Sequence, residues 1–386
     1  MASDESLRAQ HGYQRGRDYI ITPKDEIGII DEGTGRTLEG RKWQDGLHQA
    51  IEAKERVPIT AETGEAARIT VQTFFRRYEH LAGMTGTALS AAREFRKTYR
   101  LGVTTIPTHR RCIRMELKPR MFATQQAKQE ALVPEIERLH QAGRPLLIGT
   151  PSVAASEALG EVLRKRGLNC QILNALNDEL EAQIVAAAGQ PGSITIATNM
   201  AGRGTDIILG GNPTSLAWDE LKQEQDGEGR PMYRTQRDVP KSVWDVRVQQ
   251  IKQREAITEK GRQVAEGGGL HVIATEMHSS RRIDRQLVGR AARQGDPGSY
   301  QFWLSLEDEL FRCLEPKEVK ALRARSKPAV VRGGELPANW LREFRRTQRI
   351  VEARERKHRK QLLLQEKSHR KMCQMTGLDP FLDSAG

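Results

Sequence analysis

Arg282, Gln286, Arg290 and Arg293 recur at spacings of four, four and three, which on a helix over 279–292 would place them on one face. A row of guanidiniums is costly unless an anion lies opposite. The anion that suits it is a transferring phosphoryl group, whose charge arginines stabilise. Gly289 sits among them, where a missing side chain lets that face approach another surface. The competing reading is a solvated basic face; the Gln-Gly-Asp-Pro-Gly turn at 294–298 and the strand-like run before the helix favour the phosphoryl one. A second cluster, Gly202-Arg203-Gly204-Thr205-Asp206, follows an apolar run at 194–197. Gly202 and Gly204 allow the backbone close to a ligand, Arg203 could reach a phosphate, and Asp206 could accept from a ribose or order an arginine. Ligands of open α/β sheets bind at this carboxyl edge.

Other candidates are weaker. Residues 27–32 (Ile-Gly-Ile-Ile-Asp-Glu) mimic a strand carrying a magnesium aspartate and a water-activating glutamate, Asp31 and Glu32. No phosphate loop precedes them, and Gly33-Thr34-Gly35-Arg36 continues as a turn, so that role is rejected. The dipeptide Gly-Lys is absent from the 386 residues, and with it any G-x-x-x-x-G-K-[ST] loop. His48, His109, His271 and His278 lack metal-ligand spacing. Cys112, Cys170, Cys313 and Cys373 lie far apart, which favours buried free thiols over zinc or disulfides.

The elements that must position these residues alternate regularly. Helices are expected over 124–141, 152–167 (with Ser152 as N-cap), 178–188 and 279–292, and strands over 145–148, 170–173, 194–197, 270–274 and 300–304. This alternation implies a parallel sheet covered on both faces, a complete RecA-like lobe at about 111–310. Before it, two short strands joined around Pro23-Lys24-Asp25, helices over 43–56, 63–81 and 88–99, and a strand over 103–106 are expected. Residues 212–266 are polar and read as a surface insertion with a Gly-rich exit at 267–269. Residues 338–372 read as one long basic helix with a sparse apolar stripe of Trp340, Phe344, Val351 and Leu362.

Net charge is +12, and residues 341–371 hold 12 Lys/Arg against four Glu. Such a helix suits a solvated face or an acidic lipid surface. Aromatic residues that would stack bases are nearly absent from it, which disfavours nucleic acid. No apolar run approaches the ~18–20 residues that span a bilayer, and residues 1–20 lack the apolar core of a secretion signal. The expected location is therefore cytoplasmic.

Asp31-Glu32-Gly33-Thr34-Gly35-Arg36, the run Arg41-Lys42-Trp43-Gln44-Asp45-Gly46-Leu47-His48-Gln49-Ala50, Gly83-Met84-Thr85-Gly86-Thr87-Ala88, and Ala197-Thr198-Asn199-Met200-Ala201-Gly202-Arg203-Gly204-Thr205-Asp206 together resemble SecA, the motor ATPase family of bacterial protein export. Asn199 stands where generic helicases usually have Asp. The resemblance implies ATP bound between two RecA-like lobes. Arg290, Arg293 and Arg203 would stabilise charge in catalysis, while Asp206, Gly204, Gly202 and Gln286 would line the nucleotide. Thr85, Gly86 and Thr87 would couple the lobes. It further implies a remnant of the preprotein clamp at 1–20, the end of the first lobe at 21–110, the second lobe at 111–312 with its variable insertion at 212–266, and the start of a helical scaffold at 313–386. A membrane channel, preprotein and the inner face of the cell membrane would be the partners, with anionic lipid possible.

The family's phosphate loop, adenine-reading glutamine, Asp-Glu magnesium site, most of the clamp, helical wing and zinc-binding tail have no counterpart in these residues. Val288 and Ala291-Ala292 differ mildly from the usual residues around the arginines. The expectation is a motor part that needs a complementary first-lobe polypeptide, with Mg2+ arriving only with that lobe, and no turnover alone. A non-catalytic module with binding or regulatory surfaces is the alternative, and a nucleic-acid helicase half ranks third.

Overall fold

Three antiparallel strands and a much larger sheet divide the apolar runs of the sequence between them. The computed structural model describes residues 2–31, 37–38, 40–61, 69–173, 181–198, 205–225, 230–330 and 333–377. Helix α1 (Ala2–Gly12) leads into a ribbon of β1 (Tyr19–Ile21), β2 (Ile27–Ile30) and β3 (Thr37–Leu38), followed by α2 (Leu47–Glu55). The strands expected around Pro23 pair as a hairpin, Tyr19 opposite Ile29 and Ile21 opposite Ile27. Tyr19, Leu47 and Ile51 are the core of this unit. It docks on the lobe that follows: Ile20 and Ile30 pack on Val153, and Gly16 O accepts from Val153 N at 2.9 Å. Arg17 donates to both Asp18 and Glu309.

The next stretch departs from expectation. Of the helix expected over 63–81, the described part forms only α3 (Val71–Phe75), residues 62–68 lying outside the described residues. A tight turn at 88–91 precedes α4 (Ala92–Tyr99), and no strand forms over 103–106. Val71, Phe74, Phe75, Tyr78, Met84 and Ile106 are exposed. Short helices draw their stability from burial of an apolar face, and these faces have no cover among the described residues.

From residue 115 the alternation holds. Strands β4 (Met115–Glu116) and β5 (Arg120–Phe122) lead to α5 (Gln125–Gln141), β6 (Leu146–Thr150), α6 (Val153–Lys165), β7 (Gln171–Leu173), α7 (Glu181–Ala187) and β8 (Ile194–Thr198). Thr124 and Ser152 cap α5 and α6 by accepting from Ala127 N and Ala155 N. After α8 (Pro213–Leu221), α9 (Lys241–Arg254) and α10 (Ile257–Glu266) come β9 (Leu270–Ala274), α11 (Arg281–Val288) and β10 (Gly298–Ser305). Helix α12 (Pro316–Val330), β11 (Glu335–Leu336) and α13 (Leu341–Thr376) complete the chain.

The sheet runs β11-β5-β10-β9-β6-β8-β7, with β4 beside the start of β10. All its pairs are parallel except β11 with β5. Every residue of β6, β8 and β9 is buried, as a sheet covered on both faces requires. Strand alternation splits the core in two. Leu146, Ile148, Ile194 and Ile196 face α5 and α6, whereas Leu147, Ala197, Val272 and Ala274 face α7 and α11. The expected RecA-like lobe, a parallel sheet with helices on both faces, is therefore present.

One expectation gains detail and one is corrected. The stretch 212–266 is polar by composition yet largely helical, and Ala217, Ile251 and Ile257 bury a small core of their own. A few apolar residues at helical spacing suffice to pack three short helices, which composition averages hide. The four cysteines are all free, but only Cys373 is buried; Cys112 is exposed and Cys170 and Cys313 are half-buried. Cys112 lies in an irregular connection, where no helix or strand turns the thiol inward.

Candidate functional site

The segments after β8 and after α11 build the site. Strand β8 ends at Thr198, and the chain is next described at Thr205. Gly202, Arg203 and Gly204 thus lie outside the described residues. Ser280 opens α11 by accepting from Arg282 N. The helix stops at Val288, whose carbonyl is taken by Arg114 Nη1 at 2.7 Å. Beyond it, Arg290 N and Ala291 N close tight bonds to Leu287 O and Val288 O. Ala292, Gln294 and Gly295 then adopt positive φ of 54°, 57° and 87°.

This geometry corrects the single helical face expected for the four side chains. Arg282 and Gln286 lie on α11, but Arg290 follows its end and Arg293 sits in a separate tight turn. Left-handed residues cannot continue an α-helix. The turn still gathers the arginines. Arg290 Nη1 donates to Thr205 O at 2.8 Å and Arg293 Nη1 to the same oxygen at 3.4 Å. Arg293 also pairs with Asp206 Oδ1 at 2.9 Å. That contact is an ion pair without hydrogen-bond alignment, since the oxygen has no aligned donor among the described residues.

Gln294, which sequence reasoning passed over as a turn residue, donates to Asp206 Oδ2 at 2.5 Å. Arg110 donates to Gln294 O at 3.2 Å and lies beneath Gly295, where a Cβ would fall 2.9 Å from Arg110 Cδ. Asp296 beside them titrates above the ordinary carboxylate range, through burial first and the charge of Asp206 second. No spacing rule points to Arg110 or Arg114. They reach the turn from the irregular connection before β4, more than 170 residues away in sequence.

The arrangement can hold an anion. Arg293 is partly exposed, and exposed pairs such as Arg293–Asp206 are worth only about 0–1 kcal/mol. A phosphate competing for that guanidinium therefore has little to displace. Thr198 Oγ1 and Gln286 Oε1 are buried without a hydrogen-bond partner among the described residues. Polar atoms in that state cost free energy. No group of three or more His, Cys, Asp or Glu that could hold a metal occurs among the described residues.

Thr85, Gly86 and Thr87 sit apart from this turn in their hydrogen bonding. Thr85 Oγ1 accepts from Thr87 N at 3.3 Å in an irregular segment, and the neighbouring Met84 is 98% exposed. Asp31 follows β2, and its companion Glu32 lies outside the described residues.

Residues 111–328, the sheet and its helices, match the family model of the SecA P-loop domain. The chain belongs to the SecA family. Residues 2–52 match the model of the SecA preprotein cross-linking domain, so the boundary expected at residue 20 falls inside that match. Protein translocase subunit SecA of Chloroflexus aggregans is 51% identical over 324 residues, 83% of this chain and 32% of that protein. The subunit of Carboxydothermus hydrogenoformans is 52% identical over 321 residues, again 83% of this chain and 35% of the relative. That of an Anaeromyxobacter strain is 45% identical over 368 residues, covering 93% and 38%. The chain spans about a third of the length of these SecA relatives. A solved DEAD-box protein, SrmB of E. coli bound to RraA, aligns with 53% of this chain at a TM-score of 0.32 and 16% identity, which adds nothing to the fold described above.

Proposed function

We propose that this chain supplies the second-lobe wall of the ATP site in a SecA-type protein-export motor. The observation that carries the proposal is the convergence of Arg290 and Arg293 on Thr205 and Asp206, beyond the carboxyl end of a parallel sheet. Arg290 and Arg293 would neutralise charge on a transferring phosphoryl group, and Asp206 and Gln294 would hold the turn when nucleotide is absent. Arg203, Gly202 and Gly204 would complete the loop, with Gln286 lining it. ATP supplies the phosphoryl group. The loop and the carboxylate that grip phosphate and Mg2+ must come from residues outside these 386, in the same polypeptide or another.

The exposed Phe74, Phe75 and Tyr78, with Phe74 edge-on to both of the others, support that reading, because an apolar face of this kind calls for a covering lobe. Exposed Thr85 and Gly86 lie in the same stretch beside buried Thr87, where a link between lobes would run. Preprotein and the membrane channel are the proposed partners. The proposed place of work is the cytoplasmic face of the membrane, with basic α13 able to meet anionic lipid. No helix among the described residues is long and apolar enough to cross a bilayer.

The test is ATP turnover by the purified chain, alone and with the separately expressed first lobe of a similar SecA. Alone, the chain should show background turnover. With the added lobe, turnover should appear and fall by about 10³ or more in Arg290→Ala, the scale of removing an arginine that stabilises a transferring phosphoryl group. Turnover that never appears, or that ignores Arg290, refutes the proposal in favour of a non-catalytic module.

A further inference from the structure

Helix α11 has two ends with different partners. Its carboxyl end leads to Arg290 and Arg293. Its amino end is held by α13, the long basic helix. Asp284, 7% exposed, accepts from His278 N at 2.9 Å, from His278 Nδ1 at 2.7 Å and from Gln348 Nε2 at 2.6 Å. The same Gln348 nitrogen donates to His278 O at 2.9 Å, and Gln348 is 2% exposed. One turn further along α13, Glu352 Oε1 accepts from Arg281 N at 2.9 Å. Residues 348 and 352 are four apart, so both project from one face of α13.

This face caps α11. The first backbone N–H groups of a helix have no partner inside it, and carboxylates at that end are favoured by the helix dipole. Glu352 supplies a cap from another element, and buried Asp284 supplies the anchor. The amino end of α11 is thereby fixed to α13 by bonds that burial makes costly to break. From Asp284 to the last residue of α11, Val288, is roughly 6 Å along the helix axis, and Arg290 follows two positions later. A rotation of α11 about its anchored end therefore moves the arginines directly.

We infer that Gln348, acting through Asp284, and Glu352, acting through the Arg281 N–H, are positioning residues for the Arg290–Arg293 turn, so that the pose of the basic helix is read out at the Thr205–Asp206 contact. That the turn serves nucleotide rests on the function proposed above. The linkage itself is tested without nucleotide, so the two can fail separately.

The experiment is amide hydrogen exchange on the purified chain. In Gln348→Ala, exchange should speed up about tenfold or more not only at 281–284 but across 285–294 and at 205–206, while β6 and β8 keep their protection. Glu352→Ala, which removes only a half-buried cap, should show the same pattern more weakly. Leu364→Ala, an exposed change on α13, should show none. In Gln348→Glu, the introduced carboxyl meets Asp284 while His278, Glu352 and Arg281 stand nearby. At pH 8 the two carboxylates repel and protection at 285–294 should be lost. At pH 5.0, after correction for intrinsic exchange, a protonated carboxyl can donate to Asp284 and protection should return at least in part. A loss confined to 278–284 and α13, a uniform loss over the whole sheet, or a Gln348→Glu pattern indifferent to pH each overturns the inference.

Discussion

Glu276 follows β9 and shares one cation with a second acid. Lys128, 5% exposed, donates to Asp308 Oδ1 at 2.8 Å and to Thr275 O at 2.7 Å, and Asp308 is 1% exposed. Among the described residues, half-buried Glu276 accepts from Glu309 N at 3.3 Å. Burial and then the charge of Asp308 push its carboxyl up to about 7, while burial, countered by Lys128, holds Asp308 at about 6. Between the ordinary value of 4.5 and about 7, the folded chain keeps a proton that the unfolded chain has released. Stability from this group is therefore lost as pH rises through that window. At about 1.4 kcal/mol per pKa unit the upper bound is about 3 kcal/mol, and partial solvent access lowers the expected value to about 1–3. Glu276→Gln keeps an acceptor for Glu309 N and leaves Lys128 and Asp308 as a neutral pair. Urea unfolding should find the variant within about 0.5 kcal/mol of the parent at pH 5 and more stable by about 1–3 kcal/mol at pH 8. A difference that does not change with pH refutes the reasoning.

Three further outcomes follow from single residues. His271 is buried on β9 with Nδ1 2.7 Å from Ser299 Oγ, and burial, then the charge of Arg144, depresses it to about 4. The unfolded chain gains this proton below about 6.5, so stability is lost as pH falls towards 4; His271→Gln should recover about 2–3 kcal/mol of that acid loss in urea titrations at pH 4.5. A Cβ at Gly269 would lie 1.9 Å from Pro297 O, with φ at 68°, so Gly269→Ala should cost more than about 2 kcal/mol by thermal or urea unfolding. Cys112 is exposed and its thiol is lowered by hydrogen bonding to Arg114 N, so it should react first with a disulfide reagent at pH 7 and buried Cys373 last, read by peptide mapping.

Local pattern determined most of the lobe. Runs such as Leu146–Thr150 and Leu270–Ala274 are apolar throughout because a parallel strand is buried on both faces, and helices between them carry caps such as Ser152 that act within three residues. The Gly-Arg-Gly-Thr-Asp run and the arginine series stood out for the same reason, since residue types and spacing are local, although the arginines do not share one helical face. What the spacing could not show is where α11 stops. That depends on Arg114 taking Val288 O and on the left-handed turn at Ala292 and Gln294, set by a connection far away in sequence. Nor could it show that Gln294 and Arg110 complete the turn, or that Lys128 must serve two acids. Residues 69–110 read as more regular than they are, because a propensity for helix or strand is realised only against a covering surface.

The sequence by itself determined the family and the parallel lobe and singled out the residues proposed for phosphate chemistry, since periodicity and motif are properties of neighbours along the chain. Only the tertiary structure decided that Arg290 and Arg293 meet at one carbonyl, and that Gln348 and Glu352 hold the other end of their helix. Hydrogen bonds between side chains dozens to well over a hundred residues apart exist only once packing has brought the elements together, and no local pattern encodes them.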